Sequence, residues 1–479
     1  MADVNKIPYY IRTLMLIGFR ILILLGSLNR ILFYPKHAGE AYKKKFKGLY
    51  DKFDEIYFHY IYRKVCDCSH APISSGQSSK VTLIERKRKD HGWTFEYTGR
   101  HFECINMGSF NYLGLATLPQ TKMENIVNSI DQYGVASAVP NHELTKITKL
   151  HLQLEKLTSE FLGVESVLLC GAGFATNALN LPAILSKKCI VFSDEKNHAS
   201  LILGLRTSKT RVFKYFHNDF QDLEIKIVEN LKANKKAGGK LFSKIFIICE
   251  GIYSMDGTIL DLKRMIQLKK KYKAYLFIDD AHGVGMLGPQ GKGIFNHCNV
   301  DPSDIDILMG TYSKAFASNG GYISGKKNVI DHFRTNTLTN YGSEMSPAVV
   351  VQAIHAIETL MHSQTANGNI LVDKIKKNTH YMRRNLKQMG LNICGDDESH
   401  IIPWILGSIS AVSFVIRELK KRGVAAAGVV YPATPLMAAR VRFNVSAVHS
   451  QEELDHVLKS VKEIVERNGL NYGQLYPSE

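Results

Sequence analysis

The sequence predicts an α/β protein built on a mostly parallel sheet, with a smaller α+β domain after it and a membrane-associated helix before it. Three observations lead there. From about residue 146, short β-branched apolar runs alternate with stretches of helical periodicity. From about residue 346, helices lengthen and strands become fewer. Near the start, residues 11–35 form one long apolar segment. The division expected is 1–60 membrane-associated segment, 61–110 N-terminal arm, 111–345 large domain and 346–479 small domain. A chain of 479 residues that is 45% hydrophobic can bury a core of that size.

The N-terminal segment "IRTLMLIGFRILILLGSLNRILFYP" is broken by Arg12, Arg20 and Arg30, which at about 100° per residue share one side of a helix. A spanning helix avoids a central charge, so the segment is read as lying in a membrane surface rather than crossing it. Its apolar core is too long for a cleaved signal peptide, and no small-residue cleavage site follows. The net charge of +17 is concentrated early, with 18 Lys and Arg against 9 Asp and Glu in residues 1–100. The runs "KKKFK" (43–47) and "RKRK" (86–89) lie beside apolar sequence rather than among base-stacking aromatics, which suits anionic headgroups and not nucleic acid. Eight scattered cysteines, with only Cys66 and Cys68 close together, fit reduced thiols and no metal site.

After a loop at 71–80, a helix carrying Leu150, Leu154, Leu157 and Phe161 on one face leads into the strand "SVLLC" (166–170). "CIVFS" (189–193), "KIFIIC" (244–249), "YLFID" (275–279) and "DILMG" (306–310) are the further strands. At the far end, Ser450 and Glu453 make a capping box for a helix whose apolar stripe is Leu454, Val457, Leu458, Val461 and Val465.

Three strand ends carry chemistry, and in such sheets ligands bind at the carboxyl ends of strands. In "LLCGAGFATN" (168–177) a strand gives way through glycines to a helix, and the free amides of Gly173 and Phe174 suit a phosphate. "YLFIDDAHG" ends a buried strand in Asp279, a carboxylate that needs a cationic partner or several donors. "MGTYSKAFASNGGYISG" (309–325) sets Lys314 among small residues, and partial desolvation favours the neutral amine that condenses with an aldehyde. A phosphate cradle, a carboxylate for a ring nitrogen and an imine-forming lysine together describe pyridoxal 5′-phosphate (PLP).

On the phrases "INMGSFNYLGLA", "SDEKNHASLILG", "EGIYSMDGTI", "GTYSKAF" and "YPATPLMAARVRFNVSAVHS", the chain resembles the α-oxoamine synthases over nearly its whole length. These are fold-type I PLP enzymes that join an amino acid to an acyl-CoA with loss of carbon dioxide. Within the family it resembles most the lysine-bearing large subunits of the serine palmitoyltransferases. The resemblance implies that Lys314 binds PLP and moves the substrate α-proton, that Asp279 pairs with the pyridinium nitrogen, and that His198 stacks on the ring. It implies further that Ser254 and His282 meet the cofactor hydroxyl, that Thr311 contacts hydroxyl or phosphate, and that Ser343 reaches the phosphate of a neighbouring subunit. Arg440 would fork onto the substrate carboxylate, although Arg442 in the same "ARVR" could face it instead, and Asn111 and Tyr112 fall among substrate-binding positions.

The implied substrates are L-serine and a long-chain acyl-CoA such as palmitoyl-CoA, the implied product is 3-ketosphinganine, and the implied setting is the cytosolic face of the endoplasmic reticulum. The implied partner is a homologous lysine-free subunit, or a second copy in a homodimer. Two alternatives remain: a glycine C-acetyltransferase or 5-aminolevulinate synthase type of enzyme, and a non-catalytic scaffold subunit, against which Lys314 argues. Two stretches depart from the family pattern. Where the large subunits carry Thr-Arg-Gln-Glu-Met-Gly this chain reads "SAVPNHELTKI" (137–147), and "SHIIPWILG" (399–407) differs at its start.

Overall fold

The computed structural model describes residues 7–33, 52–89, 94–117, 119–136, 148–336, 344–366 and 368–472. The chain opens with helix α1 (Tyr9–Phe33), a helix long and apolar enough to cross a membrane by length and composition. It does not stand free of the body. Ile7, Ile11 and Met15 pack with Cys394 and Ile405, and Phe19, Leu22 and Ile23 pack on a cluster containing Tyr57, Ile61 and Val65. At Gly26 a Cβ would come within 3.3 Å of Ile56 and Tyr60, so the helix approaches the chain beneath it closely there. The opposite face, with Tyr10, Leu14, Ile17, Ile21, Leu24, Leu28 and Leu32, is exposed.

A π-helical stretch (Tyr57–Tyr62) runs into helix α2 (Arg63–Ser69), and strands β1 (Lys80–Lys89) and β2 (Thr94–Met107) form an antiparallel hairpin. The larger sheet consists of β3 (Ser166–Cys170), β4 (Cys189–Asp194), β5 (Arg211–Tyr215), β6 (Lys244–Glu250), β7 (Tyr275–Asp279), β8 (Ile307–Thr311) and β9 (Gly321–Gly325). Their order is β3-β9-β8-β7-β6-β4-β5, with only β9 running against its neighbours. Both faces are covered, which is why the strands read as continuous apolar runs: Ile245, Ile247, Leu276 and Ile278 enter one core cluster, and Phe246, Ile248 and Phe277 the other. Between strands lie helices α3 (Gly173–Ile184), which leaves β3, and α4 (Ala199–Thr207), which follows β4.

The C-terminal part brings helix α5 (Pro347–His362), strand β10 (Ile401–Gly407), helix α6 (Ile409–Lys421), strands β11 (Val424–Val429) and β12 (Ala439–Asn444), and helix α7 (Gln451–Asn468). The capping box at Ser450 and Glu453 forms, and the five stripe residues of α7 are buried. Two features cross the boundaries expected from sequence. β1 and β2 join the C-terminal sheet in the order β1-β2-β11-β12-β10, because Ile105 pairs in parallel with Val424. Helix α5, apolar over most of its circumference, packs through Val350, Ile354 and Ile357 into the core of the larger sheet.

Candidate active site

The parallel strands of the larger sheet direct their carboxyl ends to one edge, and each delivers a different side chain there. β3 leads to Gly173 and Phe174 at the start of α3, and β4 leads to His198, the N-cap of α4. β6 ends in Glu250 with Ser254 beyond it, β7 ends in Asp279 with His282 beyond it, and β8 ends in Thr311 ahead of Lys314. A Cβ on Gly173 would lie 2.6 Å from Thr311 Oγ1, so glycine is what lets the first turn of α3 approach that hydroxyl. Thr311 Oγ1 also meets Ser313 Oγ at 2.8 Å. Phe174 is half exposed and sets its ring edge-on to His198, centroids 5.9 Å apart.

Asp279 is buried and accepts hydrogen bonds from Asn177 Nδ2 at 2.6 Å and from the Ala281 amide at 3.0 Å. The second hydrogen of the Asn177 amide goes to Ser200 Oγ at 3.0 Å, and Ser200 Oγ lies 2.7 Å from His198 Nδ1, so one network orients carboxylate and imidazole together. Burial pulls the Lys314 amine below its ordinary value and Arg442 adds to this, against the opposing pull of Asp279 and Glu250. The His198 imidazole is exposed at the site, yet the protein around it, with Lys314, holds it below its ordinary value against the pull of Asp279.

The remaining polar groups are fixed from behind. His282 is buried with Nδ1 3.1 Å from the Tyr112 hydroxyl, and burial, followed by Lys314, holds the imidazole well below its ordinary value. Tyr112 packs its ring 4.3 Å from that of His400. Its hydroxyl is therefore engaged with His282 rather than offered to a substrate, as the sequence had suggested. Asn111 is similarly tied, its Nδ2 to Gln77 O at 2.9 Å and its Oδ1 to the Ala116 amide at 3.3 Å.

The two arginines of β12 part company. Arg440 pairs with Asp256 at 2.8 Å and donates to the Met255 and Ala438 carbonyls, which corrects its expected place at the substrate carboxylate. Arg442 donates to Ser254 Oγ at 2.7 Å, lies over the Phe110 ring at 5.1 Å, and leaves a buried Nε without a protein partner among the described residues. Arg442 and Lys314 line the same cavity of about 640 Å³. The same cavity is lined by the apolar side chains of Ile73, Val81, Leu83 and Ile416, by Ala425, Ala427 and Gly428, and by Cys68. Ser343 and residues 137–147 lie outside the described residues. Among those described, no group of three or more His, Cys, Asp or Glu is arranged to hold a metal ion.

Glu250 is the site residue that sequence reasoning missed, although it opens the phrase "EGIYSMDGTI"; an acid beside a glycine gives no signal until β6 and β7 are paired. The residues fit PLP: glycine-backed amides at a helix N-terminus beside Thr311, a donor-held carboxylate at Asp279, and a depressed amine at Lys314.

The comparisons agree with this chemistry. The family model for aminotransferase class I and II matches residues 103–461. Serine palmitoyltransferase 3 of Homo sapiens is 37% identical across 98% of this chain and 87% of its own length. Serine palmitoyltransferase 2 of Saccharomyces cerevisiae is 34% identical across 98% of this chain and 84% of its own. Among solved structures, the Sphingomonas wittichii serine palmitoyltransferase superposes with a TM-score of 0.73 at 23% identity, covering 88% of this chain and 100% of that one, which establishes the shared fold. The chain belongs to the aminotransferase class I and II family and, within it, to the serine palmitoyltransferases.

Proposed function

We propose that this chain is the catalytic, lysine-bearing subunit of a serine C-palmitoyltransferase, condensing L-serine with palmitoyl-CoA or a similar long-chain acyl-CoA to give 3-ketosphinganine, carbon dioxide and free CoA. The observation that carries this reading is one cavity lined both by Lys314 and Arg442 and by an extensive apolar wall. A site for glycine and a short acyl group has no need of that wall. Retention of Lys314 disfavours the scaffold alternative.

Bound at the strand ends, PLP supplies an electron sink for the carbon that loses its proton. Lys314 Nζ anchors the cofactor and then serves as the base at the serine Cα, a role suited to an amine already depressed by burial. The Asp279 carboxylate would hold a ring N–H of the cofactor, His198 would pack on its ring, and His282 with Ser254 would supply hydrogen bonds to its hydroxyl. Gly173, Phe174 and Thr311 hold the phosphate, with Ser343 completing that cradle for a neighbouring subunit. Arg442, with its free Nε, takes the serine carboxylate, and the cavity wall takes the acyl chain. Asn111 and Tyr112 act from behind, the first by holding the loop at 111–116 and the second by holding His282.

The partner is a homologous lysine-free subunit or a second copy of this chain. The setting is the cytosolic face of the endoplasmic reticulum membrane. Packing of α1 along the small domain favours a helix lying in the bilayer surface over one crossing it, since a helix docked along a water-soluble domain cannot also be surrounded by lipid. The test is an assay of the purified chain, alone and with its partner, against serine or glycine and a series of acyl-CoAs. Serine with a long-chain acyl-CoA is the expected pair, with activity abolished by Lys314→Ala; preference for glycine with a short acyl group rejects the proposal.

A further inference from the structure

Glu250 and Asp279 are register partners at the ends of two parallel strands, so their side chains leave the same face of the sheet side by side. Both are buried, and neither has a lysine, arginine or histidine ion-pair partner among the described residues. A buried carboxyl beside a second acidic side chain is favoured in its protonated form. Asp279 accepts two N–H donors, whereas Glu250 accepts, among the described residues, one, the His198 backbone amide. The other titratable groups around Glu250 are Lys314, which opposes the shift although its own amine is depressed, Asp194, an acidic side chain that adds to it, and Tyr253 and Cys249, whose hydroxyl and thiol burial pushes up. Burial and Asp279 accordingly push the Glu250 carboxyl well above its ordinary range.

We infer that Glu250 is a positioning residue which, as an uncharged carboxylic acid, holds the His198 backbone and hence its imidazole at the site. Its link to catalysis rests on the functional reading above; its protonation state does not. The amide that Glu250 accepts belongs to the N-cap residue of α4, so losing the acceptor frees the turn that aims the ring.

Glu250→Gln keeps the shape and the neutral acceptor, and Glu250→Ala removes both. With serine and palmitoyl-CoA, Glu250→Ala is expected to lower kcat at least tenfold, and Glu250→Gln to restore it to within about threefold of wild type. Glutamine as damaging as alanine would mean that the negative charge is needed and would overturn the inference, as would an alanine variant with undiminished kcat. Thermal unfolding of the cofactor-free protein from pH 5.5 to 8.5 tests the protonation state without cofactor or substrate. An acid whose folded pKa is raised costs stability as pH rises above its unfolded value, so the Tm of Glu250→Gln should gain steadily on wild type across that range. Parallel Tm curves would overturn the inference even in an active enzyme, and diverging curves in a protein inactive with serine would reject the functional reading alone.

Discussion

Asp256 closes on Arg440 at 2.8 Å and leaves Arg442, two residues further along the same strand, as the arginine that lines the cavity with Lys314. Lys196 reaches the same carboxylate at 3.2 Å, so Arg440 belongs to a structural ion cluster. Truncating a buried, hydrogen-bonded charge costs about 2–5 kcal/mol, and the two variants should spend that loss differently. Arg442→Ala is expected to raise KM for serine by roughly 30-fold or more while the protein stays folded. Arg440→Ala should instead lower thermal stability and leave KM for serine near wild type. Steady-state kinetics on both, normalised to folded protein, decides; the reverse pattern returns the carboxylate to Arg440.

The acyl subsite is tested along β11. Ala427 is the register partner of Arg442, and Ala425 lies two residues further from it, about 7 Å along the strand. Both are half buried and line the cavity; Ala426 between them also borders it but is buried in the core cluster around Trp404. Ala425→Leu should therefore block the distal cavity and shift the kcat/KM ratio of C16 over C12 acyl-CoA toward the shorter chain by about tenfold or more. Ala427→Leu should depress both chain lengths together, being close to the reacting end. An unchanged C16 to C12 ratio in Ala425→Leu would remove the acyl chain from this cavity.

These contrasts mark how far sequence carries the argument. Strands β3, β4, β6, β7 and β8 are legible because they are buried on both faces, and the glycines after β3, His198 after β4, Asp279 at the end of β7 and Lys314 after β8 mark the site, whereas Glu250 at the end of β6 does not. Arg440 and Arg442 are not separable from sequence, since alternate residues of a strand share a face; the deciding residue, Asp256, lies 184 positions away. The same holds for β2, whose partner β11 is brought to it only by the assembled small domain. Tyr112 falls in a family phrase and invites a substrate role, but its hydroxyl is engaged by His282, 170 positions on.

Acid should unfold the protein partly through its buried histidines. Burial first, then Arg383, Lys314 and Arg442, lowers the His400 imidazole to about 3. A base whose folded pKa is depressed contributes no penalty above its unfolded value near 6.5, and the protein loses stability as pH falls from there toward 3. The full loss from this one group is of the order of 5 kcal/mol at most. Cofactor-free wild type and His400→Gln, compared by urea unfolding between pH 7.5 and 5, should show the wild type losing ground to the variant below pH 6.5. A constant difference would mean that His400 titrates in the folded protein as it does in the unfolded chain.

The proposed membrane attachment should depend on the exposed face of α1, not on the face that holds the helix to the body. Leu24 and Leu28 are both exposed and lie one turn apart on that face, opposite the docked Phe19 and Leu22. Burying each leucine in lipid is worth about 1.5–3 kcal/mol, and a glutamate in its place opposes insertion. The double substitution Leu24→Glu, Leu28→Glu should therefore weaken binding to anionic vesicles by roughly 100-fold or more, read by co-flotation. Activity toward acyl-CoA presented in detergent should persist, because neither leucine belongs to a buried core cluster. Orientation is separable in the same membranes. A tag at the N-terminus and one placed after residue 472 should both be cleaved by protease added to sealed vesicles carrying the protein on their outer surface, as a helix lying along the interface requires. Protection of the N-terminal tag alone would mean that α1 crosses the bilayer, which would require it to leave its packing against Ile405 and Tyr57.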